Sequence, residues 1–142
     1  MQPGRILVVD DNRDLCWILA KLLSERGHEV RVAECGSAAL RQVSSGFDCQ
    51  AAVVDYRLPD SNGITLLSEI VALRPRVRGI LMTSYGNAEL RSRTLDQRLF
   101  AYFNKPFNNN VIIETIEDAV AAWSKNRDSL VAGTRTGTGF PS

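Results

Sequence analysis

The sequence predicts a three-layer α/β sandwich, a parallel β-sheet covered by helices on both faces. Short runs rich in apolar and β-branched residues recur at 6–9, 29–33, 51–54, 77–82 and 99–103, and helical spacing of apolar residues fills the stretches between them. Several of these runs are nearly continuous in apolar residues, as strands buried on both faces require. The alternation of strand and helix with short connections then implies a parallel sheet within one domain. A length of 142 residues is enough to bury a substantial core.

Ile6-Leu7-Val8-Val9 reads as the first strand. Leu15, Ile18, Leu19, Leu22 and Leu23 follow at helical spacing, and Gly27 ends that helix. Glu29 to Ala33 alternates as a second strand. Ser37 can cap a helix running to about Ser45, with Gly46 after it. Ala51-Ala52-Val53-Val54 is a third strand that ends at Asp55, and a turn-rich segment, Leu58 to Gly63, follows it. Ile64, Leu67, Ile70 and Val71 make the next helical face, stopped before Pro75. Val77 to Met82 and Leu99 to Phe103 are the fourth and fifth strands, with a polar, weakly amphipathic helix expected over Asn87–Arg98 between them. Ile112, Ile113, Ile116, Ala119, Val120 and Trp123 share one face of the last helix. Residues 1–124 therefore read as one domain. The stretch 125–142 has no periodicity and is expected to lack fixed structure.

Composition excludes several function classes. Lys plus Arg total 17 against 16 Asp plus Glu, a formal charge of +1, which offers no basic surface for nucleic acid or membrane. Cys16, Cys35 and Cys49 have no C-x-x-C spacing and read as small buried hydrophobes in a reducing compartment. The one histidine, His28, rules out a multi-histidine metal site and is expected at the surface. No apolar run approaches about 20 residues, and the start lacks the layout of a signal peptide. A cytoplasmic location is the expectation.

In an open parallel sheet, ligands bind beyond the carboxyl ends of the strands. Asp10 and Asp11 close the first strand, Asp55 the third, Thr83 and Ser84 the fourth, and Lys105 follows the fifth. Three carboxylates gathered on one edge disfavour one another's ionised forms. A hard divalent cation relieves that conflict, because Mg²⁺ takes one or two carboxylates with waters and phosphate oxygens. With Mg²⁺ and the Lys105 ammonium the charges would cancel, and the site could accept a phosphoryl group. Thr83 and Lys105 can each donate to phosphate oxygens. Taken singly, each feature has an ordinary explanation: Asp-Asp-Asn as a helix start, Asp55 as turn chemistry, Lys105 as a solvated strand end. Their combination on this scaffold is far more specific.

At these residues the chain resembles the response-regulator receiver family of two-component signalling, over roughly Arg5 to Trp123. The matching pieces are Ile-Leu-Val-Val-Asp-Asp (6–11), Val-Val-Asp-Tyr-Arg-Leu-Pro-Asp-Ser-Asn-Gly (53–63), Ile-Leu-Met-Thr-Ser-Tyr (80–85) and Ala-Tyr-Phe-Asn-Lys-Pro-Phe (101–107). The resemblance implies a flavodoxin-like fold, with strand order 2-1-3-4-5 and five helices. It implies Asp55 as phosphoacceptor, whose carboxylate attacks phosphorus to give an acyl phosphate. Asp11 would be a direct Mg²⁺ ligand, Asp10 its neighbour acting mainly through metal-bound water, and the Arg57 backbone carbonyl would complete the protein's share of the sphere. Lys105, aimed by a cis bond to Pro106, would bond a phosphate oxygen. Thr83 and Tyr102 would be the switch pair. The implied donor is a phosphohistidine on a histidine kinase or a phosphotransfer protein. The output face is expected on the segment 87–98, the fifth strand and the last helix, with a phosphorylation-dependent dimer as one outcome.

Arg57 and Tyr85 stand at variable family positions linked to dephosphorylation, and their bulk predicts a fairly long-lived phosphoryl state. Ser84 replaces the more usual Ala or Gly. The aromatics Phe100, Tyr102, Phe103 and Phe107 read first as core packing and second as a partner patch. The main reading is a self-modifying switch, not a turnover enzyme. Alternatives are the receiver part of a longer hybrid kinase or transcriptional regulator, an aspartyl-phosphate phosphatase on a related scaffold, and a flavin binder.

Overall fold

The structure, a computed structural model, describes residues 3–84 and 99–126. Its elements run β1 (Arg5–Val9), α1 (Arg13–Glu25), β2 (Glu29–Ala33), α2 (Gly36–Ser44), β3 (Ala51–Asp55), α3 (Gly63–Leu73), β4 (Arg78–Thr83), β5 (Ala101–Asn104) and α4 (Asn109–Asn126). The five strands form one sheet in the order β2-β1-β3-β4-β5, every pairing parallel. The helix expected over Asn87–Arg98 lies outside the described residues, as does Tyr85. The last helix continues through Lys125 to Asn126, so the first two residues of the expected tail are helical, and the rest of it lies outside the described residues.

Alternation along the strands sorts the core into two halves. Ile6, Val8, Ala51, Val53, Ile80, Met82, Ala101 and Phe103 face α1 and α4, where they meet Cys16, Leu19, Leu23, Ile112 and Ile116. Leu7, Val9, Ala52, Val54 and Leu81 face α2 and α3, against Ala39, Val43, Leu66, Leu67 and Ile70. Each fully buried aliphatic side chain of this kind contributes about 1.5–3 kcal/mol. β3, in the middle of the sheet, is buried along its whole length, which explains why its sequence shows no polar alternation.

Three side-chain expectations are corrected. Val71 lies on the exposed side of α3, and Leu66 takes a core position instead. Ser37 is inside α2 and does not cap it. The residue before the helix is Cys35, which makes no side-chain cap, and the cap comes from Asp60, whose carboxylate accepts from the backbone N–H groups of Gly36 and Ser37 at 2.8 and 3.0 Å. This capping acid is remote in sequence, so local pattern could not show it.

His28 is buried, not at the surface. Its Nδ1 accepts from the Gly4 N–H at 2.9 Å, which leaves the proton on Nε2, 3.0 Å from the Glu117 carboxylate. Arg26 donates two bonds of 2.7 Å to the same carboxylate. The cluster fastens α4 to the turn after α1, where Gly27 takes a left-handed φ of 94°. Cys16 and Cys49 are buried as expected, and Cys35 is half-buried. Phe100 and Phe103 lie in the core, and Phe103 meets Phe107 edge-on at 5.9 Å. Among the described residues no helix is long and apolar enough to cross a membrane.

Candidate functional site

Register brings the candidate residues together. Val9 pairs with Val54, so Asp10 lies level with Asp55 just beyond the paired strands. Asp55 pairs with Met82 and Thr83 with Asn104, which places Thr83 and Lys105 at the same edge. Backbone bonds continue the ladder outward: Tyr56 N–H to Met82 carbonyl at 2.7 Å, and Lys105 N–H to Thr83 carbonyl at 2.8 Å. The Lys105–Pro106 bond is cis, as the resemblance implies.

One carboxylate oxygen each from Asp10, Asp11 and Asp55 falls within 4.8 Å of the other two, with Asp10 and Asp55 buried and Asp11 exposed. The Lys105 ammonium sits 2.6 Å from Asp10 Oδ2 and 3.0 Å from Asp55 Oδ1. Asp10 is already engaged through both oxygens, because its Oδ1 also accepts from the Asn12 N–H at 2.9 Å. Each of the three acids still has a carboxylate lone pair to offer an ion, and exposed Asp11 has the freest access to solvent. Three carboxylates against one ammonium leave the cluster doubly negative, and its donors are all hard oxygens. That donor set fits Mg²⁺.

Electrostatics follow from burial. Desolvation, with the charge of Asp10, raises the Asp55 pKa above the ordinary carboxylate value, against the pull of Lys105. For Lys105 burial works against the charge, but bonds to Asp10 and Asp55 outweigh it and hold the ammonium's pKa above normal. The two directions agree: Lys105 serves two acids at once, so neither is fully compensated. Cys16, whose thiol donates to the Asp10 carbonyl at 3.2 Å, is pushed up to about 11, first by burial and then by Asp10, and is inert here.

The loop between β3 and α3 wraps the site. Gly63 N–H bonds the Tyr56 carbonyl at 2.8 Å, Arg57 and Asn62 form a bridge, and the Asn62 side chain caps α3 through the Thr65 N–H at 2.9 Å. A Cβ at Gly63 would lie 2.6 Å from the Asp55 carbonyl and from Leu81 Cδ1. Only glycine lets α3 start so close behind β3. At the tip, bonds from the Ser37 and Gly36 amides hold the Asp60 carboxyl below its usual pKa.

Thr83 is buried at the end of β4. Tyr102, on the neighbouring strand, is half-buried and packs against the core half formed with α2 and α3. Arg57 and Ser84 are exposed. A cleft of about 360 Å³ opens beside Lys105, between Asn12 and Leu15 of one wall and Pro106 and Phe107 of the other. Asp10, Asp11, Asp55 and Lys105, singled out from the sequence, do come together, whereas the Asp60 clasp and the tight approach of Gly63 are not among the sequence expectations. The Pro-Asp-x-Asn-Gly string was visible as a turn, and only the fold shows what its Asp and Gly touch.

Comparison with known proteins agrees with this geometry. Residues 6–117 match the response regulator receiver domain. The transcriptional regulatory protein ZraR of Escherichia coli is 37% identical over 117 residues, covering 82% of this chain and 26% of that protein. The DNA-binding transcriptional regulator NtrC of Azospirillum brasilense is 31% identical over 120 residues, covering 84% and 25%. The chain thus spans about a quarter of the length of these curated relatives. A CheY-like receiver domain protein from Methanospirillum hungatei superposes with a TM-score of 0.81 at 30% identity, covering 88% of this chain and 99% of that one.

Proposed function

The chain belongs to the response regulator receiver domain family, and from that premise we propose that it is a switch charged on Asp55 with a phosphoryl group taken from a phosphohistidine. One observation carries the assignment to Asp55. Its carboxylate ends the central strand, 3.0 Å from the Lys105 ammonium and within 4.8 Å of two other carboxylates.

Asp55 would attack phosphorus, forming an O–P bond as the donor's N–P bond breaks and the imidazole leaves with the electron pair. Lys105, now shared between two acids, would turn to a phosphoryl oxygen, and Thr83 would donate its hydroxyl to another. Asp11 and Asp55, with the Arg57 carbonyl, would hold Mg²⁺ directly, and Asp10, which also bonds Lys105 and the Asn12 N–H, would act beside them mainly through metal-bound water. When bound, the ion neutralises charge on the transferring group. Tyr102 would follow Thr83 and alter the output face of β5 and α4. Arg57 stands exposed beside the site and would shield the acyl phosphate, giving a long-lived charged state that a half-life of a few seconds would contradict.

We read the protein as modifying itself and not as a turnover enzyme, with a histidine kinase or phosphotransfer protein upstream. No direct nucleic-acid contact is assigned to this chain, and a phosphorylation-dependent dimer remains an outcome to be tested. That this receiver forms part of a longer regulator is favoured by the length of its relatives. Incubation with a small phosphodonor and Mg²⁺, read by intact mass, tests the assignment. The wild type should gain one phosphoryl group, and Asp55→Asn or added EDTA should abolish the gain. Equal labelling of the variant refutes it, and turnover of a phosphomonoester would favour a phosphatase instead.

A further inference from the structure

The loop from Tyr56 to Asn62 carries the one candidate metal ligand that is not a side chain, the carbonyl of Arg57. Its base is closed by main-chain bonds: Gly63 N–H to the Tyr56 carbonyl at 2.8 Å, and the bridge between Arg57 and Asn62. Higher up, the Leu58 N–H reaches the Ser61 carbonyl at a long 3.3 Å. At the tip, among the described residues, the Asp60 carboxylate reaches out of the loop and takes two of the free N–H groups at the start of α2, from 23 and 24 residues away. Charge-assisted bonds of this length are about twice as strong as neutral ones, and the carboxylate lies at the favourable end of the helix dipole.

A residue that holds a backbone ligand by its loop acts on a metal as an outer partner does. We propose that Asp60 is a positioning residue for the Mg²⁺ and phosphoryl site: by clasping the amino end of α2 it sets where the Arg57 backbone stands relative to Asp55. The proposal rests on the reading of Asp55 as acceptor and adds a coupling that this reading does not contain. The Arg57 N–H also donates to the Asp55 carboxylate, so a displaced loop disturbs acceptor and ligand together. Linkage makes the coupling reciprocal: whatever binds at Asp55 and Arg57 tightens the clasp.

The test uses the full chain. Mg²⁺ affinity, titrated by calorimetry, should weaken roughly tenfold in Asp60→Ala, with a smaller loss in Asp60→Asn, which keeps one acceptor oxygen. Labelling by a small phosphodonor should slow in parallel. Arg41→Gly, on the exposed face of α2, weakens the helix without touching the loop and should leave Mg²⁺ affinity unchanged. In the unaltered protein, Mg²⁺ should slow amide exchange at Gly36 and Ser37 severalfold, a readout that needs no variant to fold. Wild-type affinity in Asp60→Ala, an equal loss in Arg41→Gly, or unchanged exchange at those amides while Mg²⁺ binds would each overturn the proposal. A wild type that binds no Mg²⁺ and takes no phosphoryl group would instead refute the acceptor reading itself.

Discussion

Replacing Asp55 with Asn should stabilise the metal-free protein, although it removes half of an ion pair. At an effective dielectric of about 20, the 3.0 Å contact with Lys105 contributes about 5.5 kcal/mol to the ionised form. Repulsion from Asp10, within 4.8 Å, costs about 3.5 kcal/mol, and that from exposed Asp11, screened as in water, about 1 kcal/mol. About 1 kcal/mol of attraction is left, against a desolvation penalty of several kcal/mol for a carboxylate this buried. The ionised acid is therefore a net burden of about 1–2 kcal/mol, worth roughly 3–8 °C in Tm. The raised pKa of Asp55 has the same sign. A group whose folded pKa lies above its unfolded value stabilises the fold below the unfolded value, near 4, and that contribution is lost as pH rises through the folded one. The gap between Asp55→Asn and wild type should thus open with rising pH and close below about pH 4. Urea or thermal unfolding in EDTA measures it. Saturating Mg²⁺ at a hundredfold excess over Kd adds about 2.7 kcal/mol to the wild type and much less to the variant, reversing the order. A variant less stable than wild type in EDTA at neutral pH, or equal stabilisation of both by Mg²⁺, would refute the reasoning.

Two further substitutions probe the scaffold. Gly63→Ala places a methyl group 2.6 Å from the Asp55 carbonyl, so urea unfolding should show a loss of about 1–3 kcal/mol, and labelling of Asp55 should slow. Glu117→Ala strands the wholly buried Nε2–H of His28 and should cost about 1–3 kcal/mol. Arg26 chiefly, then His28, hold the Glu117 carboxyl below its normal pKa against its burial, so its contribution is present above the unfolded value, near 4.3, and fades as pH falls through the folded one. Denaturation of both proteins across that range should show the curves converging in acid.

Much of this molecule is legible in its sequence. Continuous apolar runs announce strands covered on both sides, and the charged residues that close them mark the edge where a ligand binds. Helical spacing found α1, where Leu19 and Leu23 are fully buried, because one face of that helix is uniformly apolar. What escaped is what depends on distant partners. His28 looked like a surface residue beside a glycine because Glu117, 89 residues on, cannot be seen from its neighbourhood. Ser37 looked like a cap because the acid that does the capping belongs to another turn. Val71 and Leu66 exchanged roles because an 11-residue helix with five buried positions has a broad apolar face whose margin periodicity alone cannot fix.

The main chain around Asp55 is interlocked: Tyr56 is bonded to Met82 and Lys105 to Thr83, one step beyond where the formal strands end. Such a frame resists parting, since separating any two neighbours breaks several bonds together. If Asp55 is charged as proposed, the message leaving it would begin as torsion about a few side-chain bonds more readily than as parting of the strands. A signal of that kind would be small where it originates and would need surfaces poised between two packings to amplify it.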